Sequence, residues 1–97
     1  MEFGLFVEFP ANSTTTQPQI FRDSLELIDA AEELGSEGIW LAEYHFNPAR
    51  SVLSAPVTVA GAIAGRTKRV KIGLAVHVLP LRNPVQIAEE IATLDHL

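Results

Sequence analysis

Three short apolar runs, Glu2–Phe9, Gly38–Glu43 and Val70–Val78, are each followed, after a polar connection, by a stretch with helical periodicity. Strand then helix, three times over with short connections, implies parallel strands joined by right-handed crossovers. The first helix opens at Pro18, where a missing N–H costs nothing, and carries Phe21, Leu25, Ile28, Ala31 and Leu34 at the spacing of one buried face, with Gly35 as a left-handed stop. Ser54 is placed to cap the second helix, which takes Pro56 in its first turn and runs to about Gly65. Asn83-Pro84 opens the third, whose apolar face is Val85, Ile87, Ala88, Ile91 and Leu94. The second helix is rich in small residues, among them Ala60, Gly61, Ala62 and Ala64. They suit either tight packing on the chain's own sheet or a subunit contact.

Alternation within the strands separates a helix-covered face from a second one. In the third run, Val70, Ile72, Leu74, Val76 and Val78 suit a surface beneath helices, whereas Lys71, Gly73, Ala75 and His77 are too small and too polar for it. If the sheet curls into a barrel, this second face points into the lumen. Gly4, Phe6 and Glu8 from the first run and Trp40, Ala42 and Tyr44 from the second join it. Gly73 and Ala75 then leave room at mid-height for a flat ligand, with polar groups above.

The segment Ile39-Trp40-Leu41-Ala42-Glu43-Tyr44-His45-Phe46 breaks from an apolar run into a carboxylate, a phenol and an imidazole. Barrel strands that carry chemistry end this way, because active sites gather just past the strand C-termini. Glu43 and His45 also fit a merely local loop pair. Glu43, His45 and His77 match no defined metal-ligand spacing, and no metal is expected.

Composition narrows the partners. Net charge is -5, and the one basic cluster, Arg66, Lys68, Arg69 and Lys71, has no interleaved aromatics, so it reads as a solvated turn rather than a nucleic-acid surface. There is no cysteine, which suits a reducing cytoplasm, and no apolar run approaches the ~18 residues of a membrane span. No Gly-x-Gly-x-x-Gly or phosphate-loop glycine run follows any strand, which argues against a self-contained doubly wound nucleotide-binding domain.

Several strings, in order, resemble the bacterial luciferase-like family of flavin-dependent monooxygenases. Phe3-Gly4-Leu5-Phe6 is similar to that family's first strand, and Trp40 to Phe46 resembles its Trp-x-x-Glu-His-His-Phe strand end. Val70-Lys71-Ile72-Gly73-Leu74-Ala75 through Val78-Leu79-Pro80 resembles its third strand, and Asn83-Pro84-Val85, Ala88-Glu89-Glu90 and Leu94-Asp95 its third helix. The resemblance implies an α/β fold, the (β/α)8 TIM barrel, with residues 1–97 as the incomplete N-terminal part of one such domain, three of eight βα units. The family pattern goes on with a Ser-x-Gly-Arg turn into a fourth strand, and most of its phosphate- and substrate-binding residues lie in the later units.

It further implies reduced FMN, or in one branch F420, used with O2 to oxygenate a small organic substrate. Homo-oligomerisation, as a dimer, or pairing with the remainder of the barrel is expected. Carried over residue by residue, Glu43, Tyr44 and His45 are the catalytic candidates. Gly73, Ala75, Val76 and His77 are the cofactor-binding candidates, with a non-prolyl cis peptide expected at Ala75-Val76. One departure bears on chemistry: the first histidine of the family's His-His pair is Tyr44 here. A phenol, with an ordinary pKa near ~10, is a poor base at neutral pH but a capable hydrogen-bond donor to a peroxide or carbonyl oxygen. A non-catalytic homologue, flavin-binding or dimer-forming, is the alternative this departure keeps open. His45 fits either a role in the site or the bracing of a subunit interface.

Overall fold

The computed structural model describes residues 1–97. Strands β1 (Gly4–Val7), β2 (Gly38–Leu41) and β3 (Lys71–Leu74) form one parallel sheet in the order β1-β2-β3. Helices α1 (Gln17–Glu33), α2 (Pro56–Ala64) and α3 (Pro84–Leu94) follow the strands in turn, with a short 3-10 turn at Leu79–Leu81 before α3. The strands are shorter than the apolar runs that announce them. Register pairs Gly4 with Gly38, Phe6 with Trp40, and Trp40 with Gly73. No helix is long and apolar enough to cross a membrane.

One face of the sheet is covered. Val7, Ile39 and Leu41 meet Ile20 and Ile28 of α1 and Val59, Ala60 and Ile63 of α2, with Phe9 and Leu53 sealing the top. Phe9 adopts a positive φ of 54°, unusual for a bulky side chain, and so turns its ring inward, 5.3 Å from that of Phe21.

The helices differ from the periodicity in instructive ways. The buried stripe of α1 centres on Ile20, Ser24 and Ile28, while Phe21, Leu25 and Ala31 flank it half-buried. Leu34 is 90% exposed, because the helix stops at Glu33 and the chain leaves through Gly35 at φ 92°. Ser54 does not cap α2: the cap position is Ala55, no side chain bonds there, and Pro56 takes the first turn. Asn83 does cap α3, accepting hydrogen bonds from the Val85 and Gln86 amides at 2.9 and 3.3 Å.

The apolar face of α3 is not buried. Val85, Ala88 and Ile91 are exposed and only Ile87 and Leu94 are partly covered, since the helix stands beside α2 across an open groove of about 900 Å³ over Ile72 and Leu74. The small residues of α2 divide between the two readings. Ala60 is in the core, whereas a Cβ on Gly61 would meet nothing within 4 Å.

The basic cluster is not simply solvated. Arg66 pairs with Asp29 of α1, and the Glu32 carboxylate accepts from the Lys68, Arg69 and Val70 amides at 2.8, 2.6 and 3.1 Å. Arg69 also donates to the Glu32 carbonyl at 2.7 Å. The end of α1 thereby holds the turn that leads into β3. The Arg69 and Lys68 amides keep the Glu32 carboxyl below its usual range.

Candidate active site

The uncovered face of the sheet is organised by Trp40. A Cβ on Gly73 would lie 2.3 and 2.4 Å from Cε3 and Cζ3 of the indole, and one on Gly4 3.1 Å from its Nε1. The ring therefore lies flat across the sheet, its six-membered part on Gly73 and its N–H end toward Gly4 and Gly38. The mid-height vacancy expected at Gly73 is thus filled, because a glycine beside a tryptophan in register invites the indole to lie down on it. The outer face remains open: Trp40 is 49% and its neighbour Phe6 51% exposed.

Above this floor β2 and β3 end together. Ala75 donates to the Leu41 carbonyl at 2.7 Å, extending the ladder by one residue, and the Ala75-Val76 peptide is cis as expected. Strand alternation lapses beyond Leu74. Val76, expected beneath helices, is 68% exposed. His77, expected in the lumen, turns inward, its side chain only 9% exposed, and donates from Nδ1 to Glu43 Oε2 at 2.7 Å.

Glu43 is the hub. Its side chain is fully buried, and Oε2 also accepts from the Val78 amide at 2.9 Å. His45 Nε2 donates to Oε1 at 2.5 Å, and Arg82 Nη2 lies 3.9 Å from the same oxygen. Burial raises the carboxyl's pKa, but the Val78 amide and the His45 and His77 bonds outweigh it and hold the group below its usual range. The Nε2 of His77 and the Nε of Arg82 are buried without partners. The imidazoles address different oxygens of one carboxylate, and no set of three or more His, Cys, Asp or Glu side chains is arranged to hold a metal ion.

Tyr44 belongs to a second cluster. Its hydroxyl donates to Glu8 Oε1 at 2.8 Å, Arg50 Nη2 donates to the same oxygen at 2.7 Å, and the guanidinium lies 5.5 Å from the Tyr44 ring centroid. Arg50, followed by Tyr44, holds the Glu8 carboxyl below its ordinary value. The loop that carries Arg50 is pinned alongside the chain beyond β1: Pro10 bridges Ser51, the Val52 amide donates to the Phe9 carbonyl at 3.1 Å, and the Ser51 hydroxyl donates to the Glu8 carbonyl. The phenolic proton is thus engaged within the fold.

Glu43, His45 and His77 are therefore brought together, Tyr44 is set with Glu8 and Arg50, and Gly73 lies under an indole. Glu8, Arg50 and Arg82 are the members that sequence reasoning missed. Glu8 had a signal, its place at the top of a lumen-facing row; the arginines had none.

Along its whole length the chain is similar to one lineage of enzymes. All 97 residues match the family model described as luciferase-like monooxygenase. The alkanal monooxygenase beta chains of Photorhabdus luminescens and Vibrio harveyi are 41% and 34% identical to this chain along its whole length, and limonene 1,2-monooxygenase of Rhodococcus erythropolis is 33% identical. The chain spans 30%, 30% and 25% of those relatives respectively. Among solved structures, monooxygenase RslO1 from Streptomyces bottropensis superposes with a TM-score of 0.90 at 29% identity, over 99% of this chain and 30% of that one. The oxygenating constituent of a 3,6-diketocamphane monooxygenase of Pseudomonas putida, solved with FMN, gives 0.90 at 23% identity over 99% and 26%, a likeness that speaks to fold alone. The three parallel units accordingly have the fold of the first βα units of a TIM barrel. A family match that leaves no residue out, joined to relatives of such identity over the full chain, makes this chain a member of the luciferase-like monooxygenases.

Proposed function

We propose that residues 1–97 form the first part of a single TIM-barrel domain in a flavin-dependent monooxygenase that oxygenates a small organic substrate with reduced FMN and O2. The carrying observation is the junction where β2 and β3 end: half-buried Ala75 and exposed Val76 adjoin the carboxylate–imidazole group of Glu43, His45 and His77. A flat ring fits there, since Val76 is open and the faces of Trp40 and Phe6 continue the apolar surface below it. Ala75 and Val76 would hold the ring directly. Gly73 acts through the indole laid on it, and His77 through Glu43.

Reduced flavin supplies the electrons that activate O2. The chain's own residues orient and handle protons. Glu43 fixes the His45 ring. Tyr44 reaches a reacting oxygen only by exchanging its bond to Glu8 for it. The open edges of β1 and β3, with Phe6, Trp40 and Val76 exposed, favour association with a second copy or with the remainder of the barrel.

Titration with FMN under reducing, anaerobic conditions tests the reading. It is followed by the fluorescence of Trp40, the sole tryptophan. Ala75→Leu should weaken binding substantially, while Ala62→Leu on the exposed face of α2 should not. Equal affinity in both variants would overturn the placement. Sedimentation of the same samples should show associated species, and a monomer that turns over alone would refute the association.

A further inference from the structure

One carboxylate shared by two imidazoles dictates where the protons sit. Glu43 is ionised and can only accept, so the nitrogens that face it, His45 Nε2 and His77 Nδ1, must both carry hydrogen. The two rings, when neutral, are then opposite tautomers. His77 is the Nδ1–H form, with its bare Nε2 buried and unpartnered. His45 is the Nε2–H form, and its Nδ1 makes no hydrogen bond in the protein yet is not among the buried unpartnered atoms, so solvent reaches it.

We propose that His45 is the proton acceptor of this site, that Nδ1 is its accepting atom, and that Glu43 is the positioning residue that fixes this polarity. His77 and the Val78 amide saturate Oε2, so that Oε1 stays turned toward His45. A proton leaving a substrate O–H or N–H adds to Nδ1. The substrate becomes the anion and His45 the imidazolium, which keeps its Nε2–H on Glu43 and turns its new N–H toward that anion. The base is then His45 and not its neighbour Tyr44, whose own proton goes to Glu8. What donates the proton rests on the flavin-monooxygenase reading; the polarity of the ring does not.

Glu43→Gln is the test, because an amide has one acceptor and one donor end. The Val78 and His77 donors both require the acceptor, so the NH2 must face His45, whose Nε2 must then give up its hydrogen. Nitrogen-15 NMR of the histidine rings, at a pH above ~8 where ordinary imidazoles are neutral, should find His77 as Nδ1–H and His45 as Nε2–H in the wild type. In Glu43→Gln the hydrogen of His45 should move to Nδ1. Free imidazole prefers the Nε2–H form, so the wild-type His77 tautomer is informative even if the variant fails to fold. Carbethoxylation mapped by mass spectrometry gives a second readout: His45 should react and His77 should not, and Glu43→Gln should slow the His45 reaction several-fold. Matching tautomers in the wild type, or a His45 ring unmoved by Glu43→Gln, would overturn the proposal. No flavin is added, so a chain that shows opposite tautomers yet fails to bind flavin sinks the cofactor reading and leaves this one standing.

Discussion

Gly73→Ala offers the sharpest test of how the open face is built. Its new Cβ would lie 2.3 Å from Cε3 of Trp40, where carbons normally rest near 3.5–4.0 Å. The indole must therefore withdraw by more than about 1 Å. The backbone at Gly73 is not in the left-handed region, so alanine is tolerated there and only the ring objects. Overpacking of this kind costs about 1–3 kcal/mol, and the open outer side of Trp40 places the expected loss near the lower end. In a Trp40→Leu background the obstacle is gone, and the same change should stabilise by about 0.5–1 kcal/mol, the usual gain of alanine over glycine inside a strand. Urea denaturation supplies the energies. The emission of the single tryptophan supplies the geometry, with a shift largest for Gly73→Ala, smaller for Gly4→Ala at 3.1 Å and least for Gly38→Ala at 3.4 Å. Equal destabilisation by Gly73→Ala in both backgrounds would show that the indole does not lie on Gly73.

The Glu43 carboxyl, held below its ordinary range, contributes stability that is complete above about pH 5 and fades as pH falls through and below the unfolded value near ~4.3; acid unfolding of Glu43→Gln should lack this component, and superimposable profiles would refute it. Phe9, fully buried against Phe21, should cost about 3–5 kcal/mol when replaced by alanine, as urea denaturation would measure; a loss below about 1 kcal/mol would mean that its ring is not enclosed.

Local patterns carried the elements and long-range pairings carried the site. Asn83-Pro84 and Gly35 were legible because capping and left-handed turns depend on residues within one helical turn. Ser54 misled because a side chain one position too far out looks the same in sequence as a cap. Leu34 continues the apolar spacing of α1, yet where a helix stops decides whether its last spaced residue is covered. Glu43 and His45 were visible as an abrupt polar break at a strand end. That Glu43 would sit between His45 and His77, or that Glu8 would hold Tyr44 and Arg50, depends on contacts 34 to 42 residues apart that leave no periodic trace. Alternation failed for Val76 and His77 because the ladder stops at Ala75, and a two-residue rule has no force beyond it.

The hold of Glu32 on the turn before β3 acts on main-chain amides at residues 68, 69 and 70, not on the side chains that the sequence displays there. Any residue that keeps its N–H satisfies such a contact. Exposed position 68 is therefore open to wide substitution short of proline, position 69 loses only its extra guanidinium bond, and position 70 is limited by the packing of its side chain against the core rather than by this contact. The acidic residue on the helix has no such latitude, so the entry point of the third strand is encoded more than thirty residues upstream of it.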